Sequence, residues 1–291
     1  MSRVRSRAGV GSGGGRADQV ASRGGRPERV ASREGRADRV VLRQLREHSD
    51  YVAAQRVARR VWKMDDLQVP STFDLQVAGH VGGMTAGAWC DGELAGFVHG
   101  FPRTDLARPA HHSHLLAVLP KFRGRGLSVR LKLFQRRWCL AHGIGLVTWT
   151  YDPLLVANAR LNLFRLRARA RIYLRDVYGP LGGLYGPLPT DRFEVFWNLR
   201  SPAVAKAARG IALEPDDCDR LPRATPRRLP RASRVTVEIP AGAPGLYADD
   251  PAAALRARLR LRRVAEALLG RGYEAVALVP RGDAALYVFE R

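Results

Sequence analysis

A chain of 291 residues with 46% hydrophobic content holds enough apolar side chain to bury a sizeable core, so one large or two modest globular domains are expected. The formal charge of +22 invites a nucleic-acid partner, yet only four of the 49 basic residues are lysines, and the arginines are spread over the whole chain without the aromatic interleaving that stacks bases. That distribution argues against nucleic acid.

The first residues repeat a decamer, Arg16-Ala17-Asp18-Gln19-Val20, Arg26-Pro27-Glu28-Arg29-Val30 and Arg36-Ala37-Asp38-Arg39-Val40, with almost no large apolar side chains. Residues 1–38 therefore read as a disordered Arg/Gly-rich tail without a catalytic part. Order begins with a short strand at Val40-Val41-Leu42, and Ser49 is the expected cap of a helix burying Val52, Ala53, Val57, Val61 and Trp62. Strands Met84–Cys90 and Leu94–His99 follow, joined by Asp91-Gly92, a pair that tolerates the left-handed backbone of a tight hairpin. An Arg- and Pro-containing loop then leads to a strand carrying His111, His112 and His114 and ending in Leu115-Leu116-Ala117-Val118.

That strand runs through Leu119-Pro120-Lys121-Phe122-Arg123-Gly124-Arg125-Gly126-Leu127-Ser128 into a helix whose Leu127, Leu131, Phe134, Trp138 and Ala141 share a face. Arg130, Lys132, Arg136 and Arg137 are expected on the opposite, solvated face. Glycines 124 and 126 permit a tight turn, and the helix start adds unpaired N–H groups and the positive end of its dipole, so the segment suits a diphosphate. A Walker loop would need Gly-Lys followed by Ser or Thr, and a dinucleotide fingerprint would need a third glycine near Val129; neither is present. After Gly143, Leu146–Thr150 reads as a buried strand. Asp152 before Pro153 is placed to cap a helix or to orient a histidine, and Thr190-Asp191-Arg192 to form a buried ion pair or a clamp for an acceptor carboxylate.

Residues 201–231, dominated by Pro, Arg and Ala, read as a linker. A β-α-β-β unit closes the chain over residues 232–291. Its strand is Arg234–Ile239, its helix opens at Asp249 or Asp250 with Pro251 and buries Leu255, Leu259, Val264 and Leu268, and its last strands are Tyr273–Val279 and Ala284–Phe289. No apolar run long enough to span a bilayer and no apolar secretory segment is present. Three widely spaced cysteines, Cys90, Cys139 and Cys218, support neither a disulfide framework nor a C-x-x-C metal cluster. A cytoplasmic protein with no membrane contact and no metal is expected, and a homodimer stays open.

The R-x-x-G-x-(small) arrangement of Arg123–Ser128 after a strand resembles the coenzyme A diphosphate loop of the GNAT acyltransferase superfamily. Together with His112-Ser113-His114, Thr148-Trp149-Thr150-Tyr151-Asp152-Pro153-Leu154, Asn158-Ala159, Asn162-Leu163, Tyr173, Tyr178-Gly179, Thr190–Phe193 and Trp197, it is similar to a bacterial branch with HSH, LPxxRGxG and WTxDPL motifs. The family usually has Leu-Gly-Ala where this chain has Leu166-Arg167-Ala168.

The resemblance implies an α/β (α+β) GNAT fold over residues 39–200, a mixed, mostly antiparallel sheet flanked by helices, with the C-terminal β-α-β-β extension packed on it. It implies direct transfer of an acyl group from acetyl-CoA, or another acyl-CoA such as succinyl-CoA, to a small amine or amino acid. The carrier would lie against Leu116, Ala117 and Val118, with Arg123, Gly124, Arg125, Gly126, Leu127 and Ser128 around the diphosphate and Asn158 across the gap. His114, helped by His112, would remove the amine proton, because an imidazole titrates near neutrality without much tuning. Tyr173 or Tyr178, on a helix after the fifth strand, would serve the leaving thiolate. Each candidate keeps a structural alternative. The histidines share a strand face and can be packed there, hydrogen-bonded to Asp152 or backbone, and the tyrosines can be core residues. A metal at the pair lacks a third ligand of suitable spacing. A non-catalytic acyl-CoA-binding module is the alternative function, and a basic nucleic-acid-associated protein the third.

Overall fold

The computed structural model describes residues 28–30, 40–64, 66–179, 188–211, 217–242 and 247–291. Eleven strands form one sheet: β1 (Glu28–Val30), β2 (Val40–Gln44), β3 (Met84–Cys90), β4 (Glu93–Arg103), β5 (Ala110–Val118), β6 (Leu146–Tyr151), β7 (Arg169–Leu174), β8 (Arg192–Asn198), β9 (Arg234–Pro240), β10 (Glu274–Arg281) and β11 (Ala284–Glu290). Their order is β1-β2-β3-β4-β5-β6-β8-β7-β10-β11-β9. Every pairing between these strands is antiparallel except β5 with β6. The expected mixed, mostly antiparallel sheet is therefore present. The expectation for residues 1–38 falls outside the described residues, apart from Glu28–Val30, which pair with β2.

Helices cover both faces. On one, α1 (His48–Trp62) and α2 (Thr72–His80) bury Tyr51, Ala54, Val57 and Leu75 against Phe97 of β4 and Ala117 of β5. On the other, α3 (Leu127–Ala141) packs Leu127, Leu131 and Phe134 against Ala86, Val98 and Val118. Adjacent strand residues thus serve opposite faces, as a pleat requires. The cap of α1 is Glu47 in a capping box with Asp50, rather than Ser49, because Asp50 is fixed by Arg43 at 2.6 Å. The hairpin turn is as expected, with Asp91 and Gly92 both left-handed at φ 49° and 86°.

After β6, the short α4 (Val156–Ala159) runs into a π-helical turn, Arg160–Arg165. Arg167, where the resemblance leads one to expect glycine, adopts φ 56°, so a left-handed residue follows the helical turn here. The expected linker is partly regular: Ser201 caps α5 (Pro202–Ala208), and Val204, Cys218 and Ala224 are buried. The C-terminal unit holds β9, α6 (Pro251–Leu269), β10 and β11, and Ala275 of β10 pairs with Ala170 of β7. Its apolar residues share one core with β6, β7 and β8. Leu259, expected inside α6, is 43% exposed, and the inward position next to it belongs to Arg258.

Candidate active site

The site is built where the parallel pair β5 and β6 opens. β5 and β6 share two rungs, His111 with Val147 and His112 with Thr148, and then part. Beyond them, Leu115 to Val118 pair only with β4, so this stretch of β5 turns a backbone edge toward the gap.

At the end of β5 the chain makes a 3₁₀ turn, Pro120–Phe122, and enters the glycine loop. Gly124 and Gly126 take φ 80° and 71°, a region that costs side-chain-bearing residues about 1–2 kcal/mol. No atom stands within 4 Å of where a Cβ at either would lie, so the loop borders open space. Gly126 is the N-cap of α3, and no side chain caps that helix. Its first-turn N–H groups form an anion receptor. Arg123 folds back onto the Val118 carbonyl through Nε at 3.4 Å, and Arg125 lies over the Phe122 ring. Leu127 is buried, Ser128 is half-buried, and Asn158 on α4 is exposed. The loop and strand residues expected to hold the carrier are thus contiguous around one opening. The residues present fit a diphosphate followed by an extended amide-bearing arm.

On the α1/α2 face of the sheet, the alternation Phe97, His99, Phe101, Arg103 on β4 lies beside His112 and His114 on β5. The Phe101 ring stacks on His112 at 5.5 Å and lies 5.6 Å from His114, and the two histidine rings are 6.3 Å apart. His112 and His114 do share a face, together with His99. His111 points the other way, toward Trp138, in a space that exists because a Cβ at Gly100 would strike its ring. His112 Nδ1 meets Thr148 Oγ1 at 3.2 Å, not Asp152. Burial and the nearby His114 push the His112 imidazole down to about 4, and partial desolvation lowers His114, although that residue is exposed at the surface. Both are therefore neutral at neutral pH, the form a base needs.

The two tyrosines separate. Tyr173 is on strand β7, not on a helix; it is buried, and its hydroxyl donates to Asp191 Oδ2 at 2.7 Å. That phenol is committed within the core, which corrects its expected place at the site. Tyr178 is 44% exposed, and its hydroxyl meets Thr150 Oγ1 at 3.2 Å, beside the parted end of β6. Asp191 forms the buried ion pair, with Arg262 of α6 at 2.7 Å and 2.9 Å rather than with Arg192. Asp152 neither orients a histidine nor stays local: it caps the Leu154 N–H and binds Tyr247 at 2.9 Å and Arg258 at 2.8 Å.

Residues the sequence reading passed over complete this face. Arg103 pairs with Glu194 of β8 and bonds Thr148 Oγ1 at 2.9 Å, forming a wall beside the histidines. Their signal was available in the period-two run from Phe97 to Arg103. On the basic face of α3 Arg137 is exposed and Arg130 and Arg136 are half-buried, whereas Lys132, expected in solvent with them, is 1% exposed. Ala141, expected on the buried side, is exposed because it lies in the last turn. Among the described residues no group of three or more metal-ligating side chains forms, and no helix is long and apolar enough to cross a membrane.

Residues 48–161 match the family model of the acetyltransferase (GNAT) family. Among solved structures, the chain is similar to a GNAT-family protein from Desulfovibrio desulfuricans at 18% identity and TM-score 0.46, covering 55% of this chain and 99% of that one. It is similar to a protein from Salmonella typhimurium solved with its cofactor acetyl-CoA at 15% identity and TM-score 0.46, over 62% and 99% of the two chains. A third is the ribosomal-protein-S18-alanine N-acetyltransferase of Escherichia coli, at 15% identity and TM-score 0.45 over 56% and 95%. No curated protein matches the chain.

Proposed function

With residues 48–161 matching the family model of the GNAT acetyltransferases, we propose that the chain is an enzyme that passes an acyl group, most simply acetyl, from an acyl-CoA directly to the nitrogen of a small amine or amino acid in a ternary complex. One observation carries the reading: the gap between β5 and β6 opens beside the uncapped start of α3, so a diphosphate receptor and a free strand edge meet in one place. Main-chain N–H groups of residues 124–128 receive the diphosphate, the β5 edge from Leu116 to Val118 pairs with the amides of the pantetheine arm, and Asn158 stands on the far side.

The bound carrier supplies an activated thioester; the chain supplies position and proton handling. A backbone N–H near Val118 polarises the thioester carbonyl. On the opposite face, His114 takes the proton of the attacking amine and His112 relays it toward Thr148. Tyr178 hydrogen-bonds the departing sulfur. No covalent enzyme intermediate is required.

Calorimetric titration with acetyl-CoA, followed by a free-thiol release assay over a panel of primary amines and amino acids, tests this. Binding with amine-dependent thiol release is the expected result. Binding without release for any amine would replace the enzyme by an acyl-CoA-binding module, and absence of binding would overturn both.

A further inference from the structure

Lys132 lies in the second turn of α3, yet its amine is buried beneath the point where β5 and β6 part. Its contacts are the two residues that follow the last shared rung: Nζ donates to Ser113 Oγ at 3.0 Å and lies 3.7 Å from the Trp149 ring centroid. Gln135 Oε1 accepts a second hydrogen bond at 2.7 Å, and the Trp197 ring of β8 is 5.3 Å away. One amine therefore joins α3, β5, β6 and β8.

Among the described residues no carboxylate pairs with it. The titratable groups that feel its charge are His111 and His112 on β5 and Cys139 on its own helix, while β6 and β8 present indole rings. A buried ammonium without a counter-ion lowers stability, and a methionine of similar length would fill the space without that cost. Burial without compensation calls for a gain elsewhere.

The gain lies one residue along β5. Against β4 the register runs His99 with Leu115 and then Gly100 with Ser113, so His114 is the extra residue of a β-bulge. Ser113 faces α3 through its bond to Lys132, whereas His114 and Leu115, though adjacent, both face α1 and α2. His112 and His114 share a face by ordinary strand alternation; the bulge is what turns that face toward His99 and Phe101 rather than toward α3.

We propose that Lys132 is a positioning residue for acyl transfer, its grip on Ser113 holding the bulge that turns His112 and His114 onto the face of His99 and Phe101 beside the strand gap. The proposal rests on the acyltransferase reading for its kinetic consequence but not for its structural one. Histidine-selective NMR of the full chain reads the ring contact of His114 with His99 across the bulge, 6.3 Å between centroids in the parent. In Lys132→Met that contact is expected to disappear while the thermal midpoint rises. Thiol release from acetyl-CoA should fall at least tenfold in kcat, with KM for acetyl-CoA within twofold of the parent. Ser113→Ala should reproduce the loss, Ser113→Thr, which keeps the hydroxyl, should restore it, and the double variant Lys132→Met/Ser113→Ala should be no worse than the poorer single one. An unchanged ring contact in both Lys132→Met and Ser113→Ala overturns the proposal, and if the Met variant does not fold, Ser113→Ala decides alone. Failure of the parent to bind acetyl-CoA or release thiol would sink the acyltransferase reading instead, leaving the NMR result to judge the positioning role.

Discussion

At the scale of single residues, the site depends on basic groups kept uncharged. Burial lowers His112 to about 4 and His114 below its ordinary value of 6.5, so a histidine base stays competent well into mild acid. The acid limb of kcat/KM for thiol release is accordingly expected below pH 6.5, and His114→Gln should lower kcat by about a hundredfold or more if proton removal is its role. A limb at the ordinary imidazole value, or full turnover in the Gln variant, would contradict this. Lys132 leaves a different mark, on stability. Burial takes it from 10.5 to about 7 in the folded chain. Between those two values the unfolded chain binds a proton that the folded chain does not, so this group makes stability rise with pH across that window. Lys132→Met should therefore raise the thermal midpoint most below pH 7 and progressively less toward pH 10. A midpoint difference independent of pH would place the charge elsewhere. No sequence pattern announced this lysine: its neighbours Arg130, Arg136 and Arg137 fit a wet helix face, and its burial depends on Trp149 and Trp197 from other strands.

At the scale of elements, legibility followed locality. The strand, glycine loop and α3 could be read directly, because the φ of Gly124 and Gly126 and the uncapped helix start are set by residues within a few positions of one another. The hairpin at Asp91-Gly92 was legible for the same reason. β7 was not. Its register slips between Ala170 and Ile172, which breaks the period-two alternation, and Arg169 and Arg171 are exposed, so Tyr173 gave no strand signal. The bulge at His114 likewise has no signature in its own residues, although the shared face of His112 and His114 could be predicted. The loop offers a clean test of the anion receptor. Gly126→Val meets no neighbouring atom, so its effect is confined to the backbone, where a branched residue at φ 71° is penalised by about 1–2 kcal/mol. Relaxing that strain reorients the first N–H groups of α3. Calorimetry should find acetyl-CoA binding weakened about tenfold with the far-ultraviolet circular dichroism unchanged, and unaltered affinity would remove the loop from the binding site.

At the scale of the whole molecule, the C-terminal unit is fastened by charge where the sheet joint is thin. β10 meets β7 at the single pair Ala275 with Ala170, but Arg258 of α6 reaches Asp152 Oδ2 at 2.8 Å and Arg262 reaches Asp191 Oδ1 at 2.7 Å, and the Tyr247 and Tyr173 hydroxyls donate to the Oδ2 atoms of Asp152 and Asp191. These partners are separated by 106 and 71 residues, which is why Asp152 and Asp191 read as local caps and turn-fixers in the sequence. Asp152 is wholly buried, so removing Arg258 takes away the hydrogen-bonded cation and leaves the carboxylate in the core with Arg192 at 3.8 Å. Arg258→Ala should then cost about 3–5 kcal/mol. The same logic forbids two independently folding parts. A chain cut after residue 231 would lose both arginines and uncover β7 and the apolar surface that β6 to β8 share with α6 and β9 to β11. Calorimetry of the intact protein should give one cooperative transition, lowered as a unit by Arg258→Ala, and the truncated chain should give none. Two resolved transitions, with only the second moved by the substitution, would mean that the sheet is shared in outline but not in stability.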